Sequence, residues 1–336
     1  MSGSGKINWL LILQGWTMLW VVLGHSPLGE PGDGPLWENV IYNAAYSFHM
    51  SLFMLISGYL FYLTRLKATE AGQAMSYGAM LRDKALRLLL PMVVFTLVAF
   101  AVKLAFPGEM SREVSLSFKD VLTAFLYPYN GPLREMWFIY TLFWFFCLAP
   151  VWRASLSRGW MTVTTAAVLL LCHYFHPDVE FLSLKRVFDY GFWFYAGVVL
   201  ADRDVIERYL SKVRYPLLAI GAALYWLGTY TDRMVTTLGA IVFSIALALV
   251  LDRLLPKLFS SFRNYTYQIF LMGIFAQMAV KILFRHFDIP YIAGYLLCVA
   301  VGLYVPVLIS VILKKINWRP LLLCIGLKSS GEGGRR

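Results

Sequence analysis

The sequence predicts an all-α protein, a polytopic transmembrane bundle of about ten helical spans with both termini in the cytoplasm. Three observations carry this expectation. Of 336 residues, 59% are hydrophobic and 15% charged, and the mean hydropathy is +0.64, far above the apolar share usual in soluble domains. The apolar residues gather into stretches close to the about 20 residues that cross roughly 30 Å of hydrocarbon. Basic residues lie between the stretches, where they orient a membrane protein.

The stretches run over about 7–25, 39–64, 86–106, 136–153, 160–176, 187–201, 215–230, 234–251, 265–284 and 291–313, the sixth being the shortest. The first continues into Gly24-His25-Ser26 rather than a small-residue cleavage site, so it is expected to be retained as a span. With the N-terminus inside, 21 of the 30 Lys and Arg fall on the cytoplasmic side and 9 outside, which sets the orientation. The net charge of +11 therefore reads as topology, and no nucleic-acid partner is expected. No internal repeat is visible, so an inverted-repeat transporter has no support in the sequence. Cys147, Cys172 and Cys298 lie in apolar runs and Cys324 in the tail, without the paired spacing of a zinc site or disulfide framework; no metal is expected.

The longest outer loop, 107–135, combines a polar stretch, an apolar patch from Val121 to Leu126, and turn residues at Pro128, Asn130-Gly131 and Pro132. It reads as a partly helical segment that hugs the interface. Residues 314–336 form a basic tail. Trp318 and Leu321–Leu323 suit a short helix lying on membrane lipids, and the terminal KSSGEGGRR is expected to be disordered.

Chemistry-bearing side chains interrupt the apolar pattern. The first span closes on His25, and Gln14, eleven residues earlier, falls on the same face about 16 Å away. The second span carries His49. An ionisable group inside a membrane span is a functional candidate, because leaving it in lipid costs several kcal/mol. Ser57-Gly58 fits close helix packing. Lys84 and Arg87 share a face at the start of the third span, beside Arg82, with Asp83 set to pair with Arg87 at i,i+4. That cluster is either a snorkelling topology signal or an anion site for a phosphorylated cosubstrate. Arg134, Glu135, Trp137, Lys185, Arg186 and Asp189 fall near the outer surface. Aromatic belts account for Trp137, and a sugar-binding vestibule would use the same residues.

The segments VVLGHS, SFHMSLFMLISGYLF, LRDKALRLLLP and MWFIYTLF, in this order and at these intervals, resemble the membrane-bound acyltransferase family 3 (acyltransferase-3), especially its branch similar to fucose 4-O-acetylases. FWFYAGVVL and NYTYQIFLM are weaker echoes further on. Family members carry a basic residue eleven positions before the first-span histidine, where this chain has Gln14. The related branch has an acid where this chain has Leu11, and many members have a histidine where it reads Leu271-Met272-Gly273.

The resemblance implies an acyltransferase domain over 1–313 and an O-acetyltransferase in the bacterial cytoplasmic (inner) membrane. It implies acetyl-CoA, or another acyl-CoA, as cosubstrate and no bound cofactor. The acceptor would be a hydroxyl of an exopolysaccharide, a lipopolysaccharide or a lipid-linked sugar. Under that reading His25 is the general base, and His49, Asn43 or Gln14 steadies the oxyanion. Lys84, Arg87, Arg82 and Ser57 hold the donor, and Asn43, Arg134, Glu135, Trp137, Arg186 and Asp189 hold the acceptor. Two rivals remain: a glycan or lipid transporter or flippase, which would share the inward polar seam, and an acyltransferase relative that has lost catalysis.

Overall fold

Each of the ten apolar stretches is helical in the computed structural model, which describes residues 7–30, 32–67, 76–106 and 117–327. Among these residues there is no strand. The helices are α1 (Asn8–His25), α2 (Leu36–Phe61), α3 (Tyr77–Ala105), α4 (Phe118–Leu126), α5 (Trp137–Cys147), α6 (Ala149–Leu156), α7 (Gly159–Tyr174), α8 (Leu184–Asp202), α9 (Arg214–Gly228), α10 (Arg233–Leu254), α11 (Thr266–His286), α12 (Tyr291–Ile316) and α13 (Arg319–Cys324). The architecture is that of a helical membrane protein. Five of these elements are long and apolar enough to cross a bilayer: α2 with its π-helical extension, α3, α10, α11 and α12. The segment containing α5 and α6 makes a sixth if its two pieces are counted as one span.

Two boundaries depart from the sequence pattern for local reasons. The fourth stretch is not one rod but α5 and α6, bent by 54°. Pro150 lies in the first turn of α6, where its missing N–H and its ring prevent a continuous i→i−4 ladder through Leu148. The third helix starts at Tyr77, nine residues before the apolar run. Ser76 caps it, its Oγ accepting from the Ala79 N–H at 3.3 Å, so Arg82–Arg87 lie on helix rather than in a loop. In the outer loop, Ser117 caps α4 through the Asp120 N–H at 3.1 Å, and Pro128–Asn130 form a 3₁₀ turn. Residues 107–116 and the tail residues 328–336 lie outside the described residues, as does Lys6.

The chain divides into two compact units, one of residues 1–56 and 204–312, the other of 57–203 and 313–336. In the first, α9 and α10 form a tight antiparallel hairpin. A Cβ on Gly228 or Gly239 would collide with the backbone of Thr236 or Tyr225 respectively, so the small residues set the close approach. The core around α1 joins Met18, Val21 and Val22 to Phe262, Ile269 and Leu303. In the second unit, Phe145, Phe146, Trp152, Phe194 and Tyr195 form an aromatic core across α5, α6 and α8. Helix α13, with Leu322 buried, packs on α3 in this unit.

Candidate functional site

In the first unit the site begins with Gly24. A Cβ at this position would meet the Ala45 Cβ at 3.2 Å and the Tyr46 ring at 3.3 Å, so glycine lets the end of α1 close onto α2. The next residue is His25. Its ring stands edge-on to Tyr46, with centroids 5.9 Å apart, and Tyr46 in turn stands edge-on to His49 at 5.1 Å. One phenol ring is thus flanked by His25 and His49. Arg233, at the start of α10, donates to the Tyr46 carbonyl at 3.1 Å. Thr237 donates to the Ser47 carbonyl at 2.7 Å, which ties α10 to the same turn of α2.

The end of α1 is held by side chains from α11 and α12. Carbonyls in the last turn of a helix have no intrahelical partner. Gln277 Nε2 donates to the Val22 carbonyl at 3.0 Å and to Ser26 Oγ at 2.9 Å, and Tyr295 donates to the Leu23 carbonyl at 3.1 Å. Gly302 leaves the room that Gln277 fills, since a Cβ there would sit 2.8 Å from its Cγ.

His49 is buried, and its Nδ1 faces the Ala45 carbonyl one turn earlier. A carbonyl only accepts, so Nδ1 carries the proton and, in the neutral ring, Nε2 keeps the lone pair. That tautomer alters the expectation that His49 steadies an oxyanion, because a neutral Nε2 of this kind accepts a hydrogen bond and does not donate one. Asn43, one turn before Tyr46 on α2, is exposed. Gln14 is half-buried on unbroken α1, about 16 Å from His25 along the axis, too far to touch an atom reacting at that ring.

The second unit holds the cation cluster. Asp83 accepts from Arg65 Nη2 and from Arg87 Nε, both at 2.7 Å, so the expected i,i+4 pair forms and a second arginine joins it. Arg65 comes from the π-helical turn Tyr62–Leu66 at the end of α2. Lys84 Nζ lies 4.1 Å from the centroid of the Phe146 ring, a cation–π contact, and Arg82 is exposed. Two arginines thus share one carboxylate, with Lys84 and Arg82 flanking Asp83 in the sequence. Ser57 precedes Gly58, where a Cβ would overlap the Phe194 carbonyl, which favours close packing as the reason for small residues there.

At the other end of α5 and α8, the guanidinium carbons of Arg134 and Arg186 lie 5.2 and 5.1 Å from the Tyr129 ring centroid. Arg186 also lies over Trp137 at 5.5 Å, and Trp137 stacks on Tyr190 at 5.1 Å. Arg186 donates to Asp189 Oδ2 at 3.0 Å, and His176 Nε2 meets Oδ1 at 3.0 Å. Lys103, near the end of α3, lies within electrostatic reach of both Glu135 and Arg134. The sequence-selected group Arg134, Glu135, Trp137, Arg186 and Asp189 is therefore drawn together within one unit.

A family model described as an acyltransferase domain matches residues 7–311. The chain belongs to the acyltransferase-3 family. Two relatives of this acyltransferase-3 chain bear the name nodulation protein NolL. The one from Mesorhizobium japonicum is 28% identical over 218 residues, covering 62% of this chain and 52% of its own length. The one from Sinorhizobium fredii is 28% identical over 217 residues, covering 63% and 55%. The chain thus spans about half the length of the curated relatives it matches. No solved structure matches it.

Within this acyltransferase-3 domain, sequence reasoning passed over Tyr46, Arg65, Tyr129, Arg233 and Gln277. A signal existed for two of them. Tyr46 stands three residues before His49, on its helical face, and Arg65 belongs to the same basic run of the sequence as Lys84 and Arg87. Nothing in the linear order points to Gln277, 251 residues from its partner Ser26.

Proposed function

We propose that the protein is an integral membrane O-acyltransferase that moves acetyl from cytoplasmic acetyl-CoA to a hydroxyl of an exopolysaccharide, a lipopolysaccharide or a lipid-linked sugar in a bacterial inner membrane. The observation that carries this reading is the pair of histidines flanking Tyr46 at the end of α1, in a chain whose family is defined by an acyltransferase domain. Both NolL relatives are named as nodulation proteins of bacteria, which is compatible with work on a cell-envelope or secreted glycan.

Neutral His25 removes the proton of the acceptor hydroxyl as the oxygen adds to the thioester carbonyl. The tetrahedral intermediate then expels the CoA thiolate, which takes the proton from the imidazolium, leaving the ester and free CoA. His49, with its Nε2 lone pair, accepts a hydrogen bond and orients the hydroxyl. Asn43, a neutral amide donor, is assigned to the oxyanion, a contribution of a few kcal/mol when preorganised. Lys84, Arg87, Arg82 and Arg65 bind the phosphates of the donor, where guanidinium forks are suited to phosphate.

The test uses purified protein, labelled acetyl-CoA and a cell-envelope glycan fraction. His25→Ala should lower acyl transfer by roughly 10²–10⁴-fold, the contribution of a general base, with the protein inserted and its melting profile intact. Lys84→Glu with Arg87→Glu should raise the KM for acetyl-CoA while leaving that for the acceptor. Normal transfer by the His25 variant would sink the base assignment. Wild-type protein that neither hydrolyses nor transfers acetyl would favour a transporter or a catalytically silent relative.

A further inference from the structure

Two like-charged guanidinium groups converge on one tyrosine ring in the second unit, and the surrounding carboxylates do not match them. Arg186 has Asp189, but Asp189 is shared with His176. Glu135, next to Arg134 in the chain, is within electrostatic reach of Lys103 as well. Arg134 has no carboxylate within 4.0 Å among the described residues. Arg186 Nε is buried with no hydrogen-bond partner, and so is the hydroxyl of Ser183, three residues earlier. A buried donor without an acceptor costs free energy that an incoming oxygen would recover.

The backbone leading into this turn is strained. Leu182 and Ser183 have φ of 47° and 59°, a region that non-glycine residues occupy at a cost. Trp144 Nε1 holds the Leu182 carbonyl at 3.2 Å. The strained turn opens α8, which carries Arg186 and Asp189. Tyr129 comes from the 3₁₀ turn Pro128–Asn130 and Arg134 from the turn before α5.

We propose that Arg134 and Arg186 form an oxyanion subsite for the acceptor, so that the enzyme takes a sugar carrying a phosphate or diphosphate group. The reading rests on the acyltransferase function above and narrows its acceptor class. Two guanidinium planes offer paired N–H donors to the oxygens of a phosphate, a geometry that Lys does not reproduce. Tyr129 and Trp137 hold the two arginines in place from the ring side. The donor cluster at Lys84 and Arg87 is a separate set of residues on other turns of the chain.

The test measures binding of inorganic diphosphate, as the probe, to the full chain in phosphatidylcholine nanodiscs. Lys84→Ala and Arg87→Ala form the background, which weakens the donor cluster, and the effects of changes at Arg134 and Arg186 are read as differences from it. The background protein should bind diphosphate, and Arg134→Gln should weaken binding by roughly tenfold or more, the loss expected for a charged hydrogen bond. Arg186→Lys keeps the charge and the link to Asp189, and so guards against a folding effect. It should weaken binding similarly, because the fork and Nε are lost. In transfer assays with otherwise wild-type protein, Arg134→Gln should raise the KM for the glycan fraction and leave the KM for acetyl-CoA. No binding by the background protein, or binding unchanged by both substitutions, would overturn the subsite. If phosphatidylglycerol added to the nanodiscs displaces the diphosphate, the cluster serves a bilayer headgroup and the acceptor assignment fails. Wild-type protein that binds diphosphate through Arg134 yet transfers no acetyl would instead mark failure of the enzymatic reading alone.

Discussion

His49 shows how one hydrogen bond constrains a side chain's chemistry. With Nδ1 spent on the Ala45 carbonyl, the remaining nitrogen of the neutral ring accepts. His49→Asn separates the two nitrogens, because the asparagine amide stands close to the place of Nδ1 and can still donate to the carbonyl. The variant should fold and insert normally, yet lose roughly ten- to a hundredfold in kcat, the worth of one well-placed hydrogen bond to a reacting group. Unchanged kcat would return His49 to a structural role. The histidines themselves were legible in the sequence because an imidazole in an apolar span stands out. The tautomer was not legible, since it depends on ring rotation against a particular carbonyl. Tyr46 was lost among the 20 tyrosines of the chain, most of which an interfacial belt would explain equally well.

At the level of helices, the end of α1 that carries His25 depends on partners supplied by distant segments. Gln277 satisfies a carbonyl and a hydroxyl at once, and it is buried. Gln277→Leu keeps the volume roughly but leaves the Val22 carbonyl and Ser26 Oγ without this donor. Because Ser26 Oγ still donates to the Val22 carbonyl at 2.7 Å, the expected cost is that of lost hydrogen bonds, about 0.5–1.5 kcal/mol each, read as a lower melting temperature in detergent, with acyl transfer falling because His25 is less firmly placed. An unchanged melting temperature would show that water or another donor replaces the amide. Periodicity could reveal that α1 and α11 exist, but the contact between them joins residues 251 apart and has no sequence signature. The break between α5 and α6 is the converse case: Pro150 was visible, yet an apolar run on both sides masked a bend of 54°.

Across the whole chain, the charge distribution makes a claim about sides. The ten helical stretches were legible from their apolar runs, although five of the helices, or six with the bent pair, are long and apolar enough to cross a bilayer; the division into two units was not legible, since each unit is assembled from segments distant in sequence. The excess of Lys and Arg in one set of loops, 21 against 9, predicts that Arg65, Lys84 and Arg87 lie at the cytoplasmic side and the turn after His25 outside. Acetyl-CoA, a charged nucleotide, does not cross a bilayer unaided. Sealed inside-out vesicles given external acetyl-CoA should therefore acetylate the glycan enclosed in their lumen, and right-side-out vesicles given the same donor should be inert until permeabilised. An independent readout comes from Asp33→Cys and Ser157→Cys, each in a background freed of the four native cysteines. In intact cells the first should react with an impermeant maleimide and the second only after lysis. Labelling of Ser157→Cys from outside, together with donor use by right-side-out vesicles alone, would invert the orientation and move the donor cluster to the wrong side of the membrane for a cytoplasmic thioester.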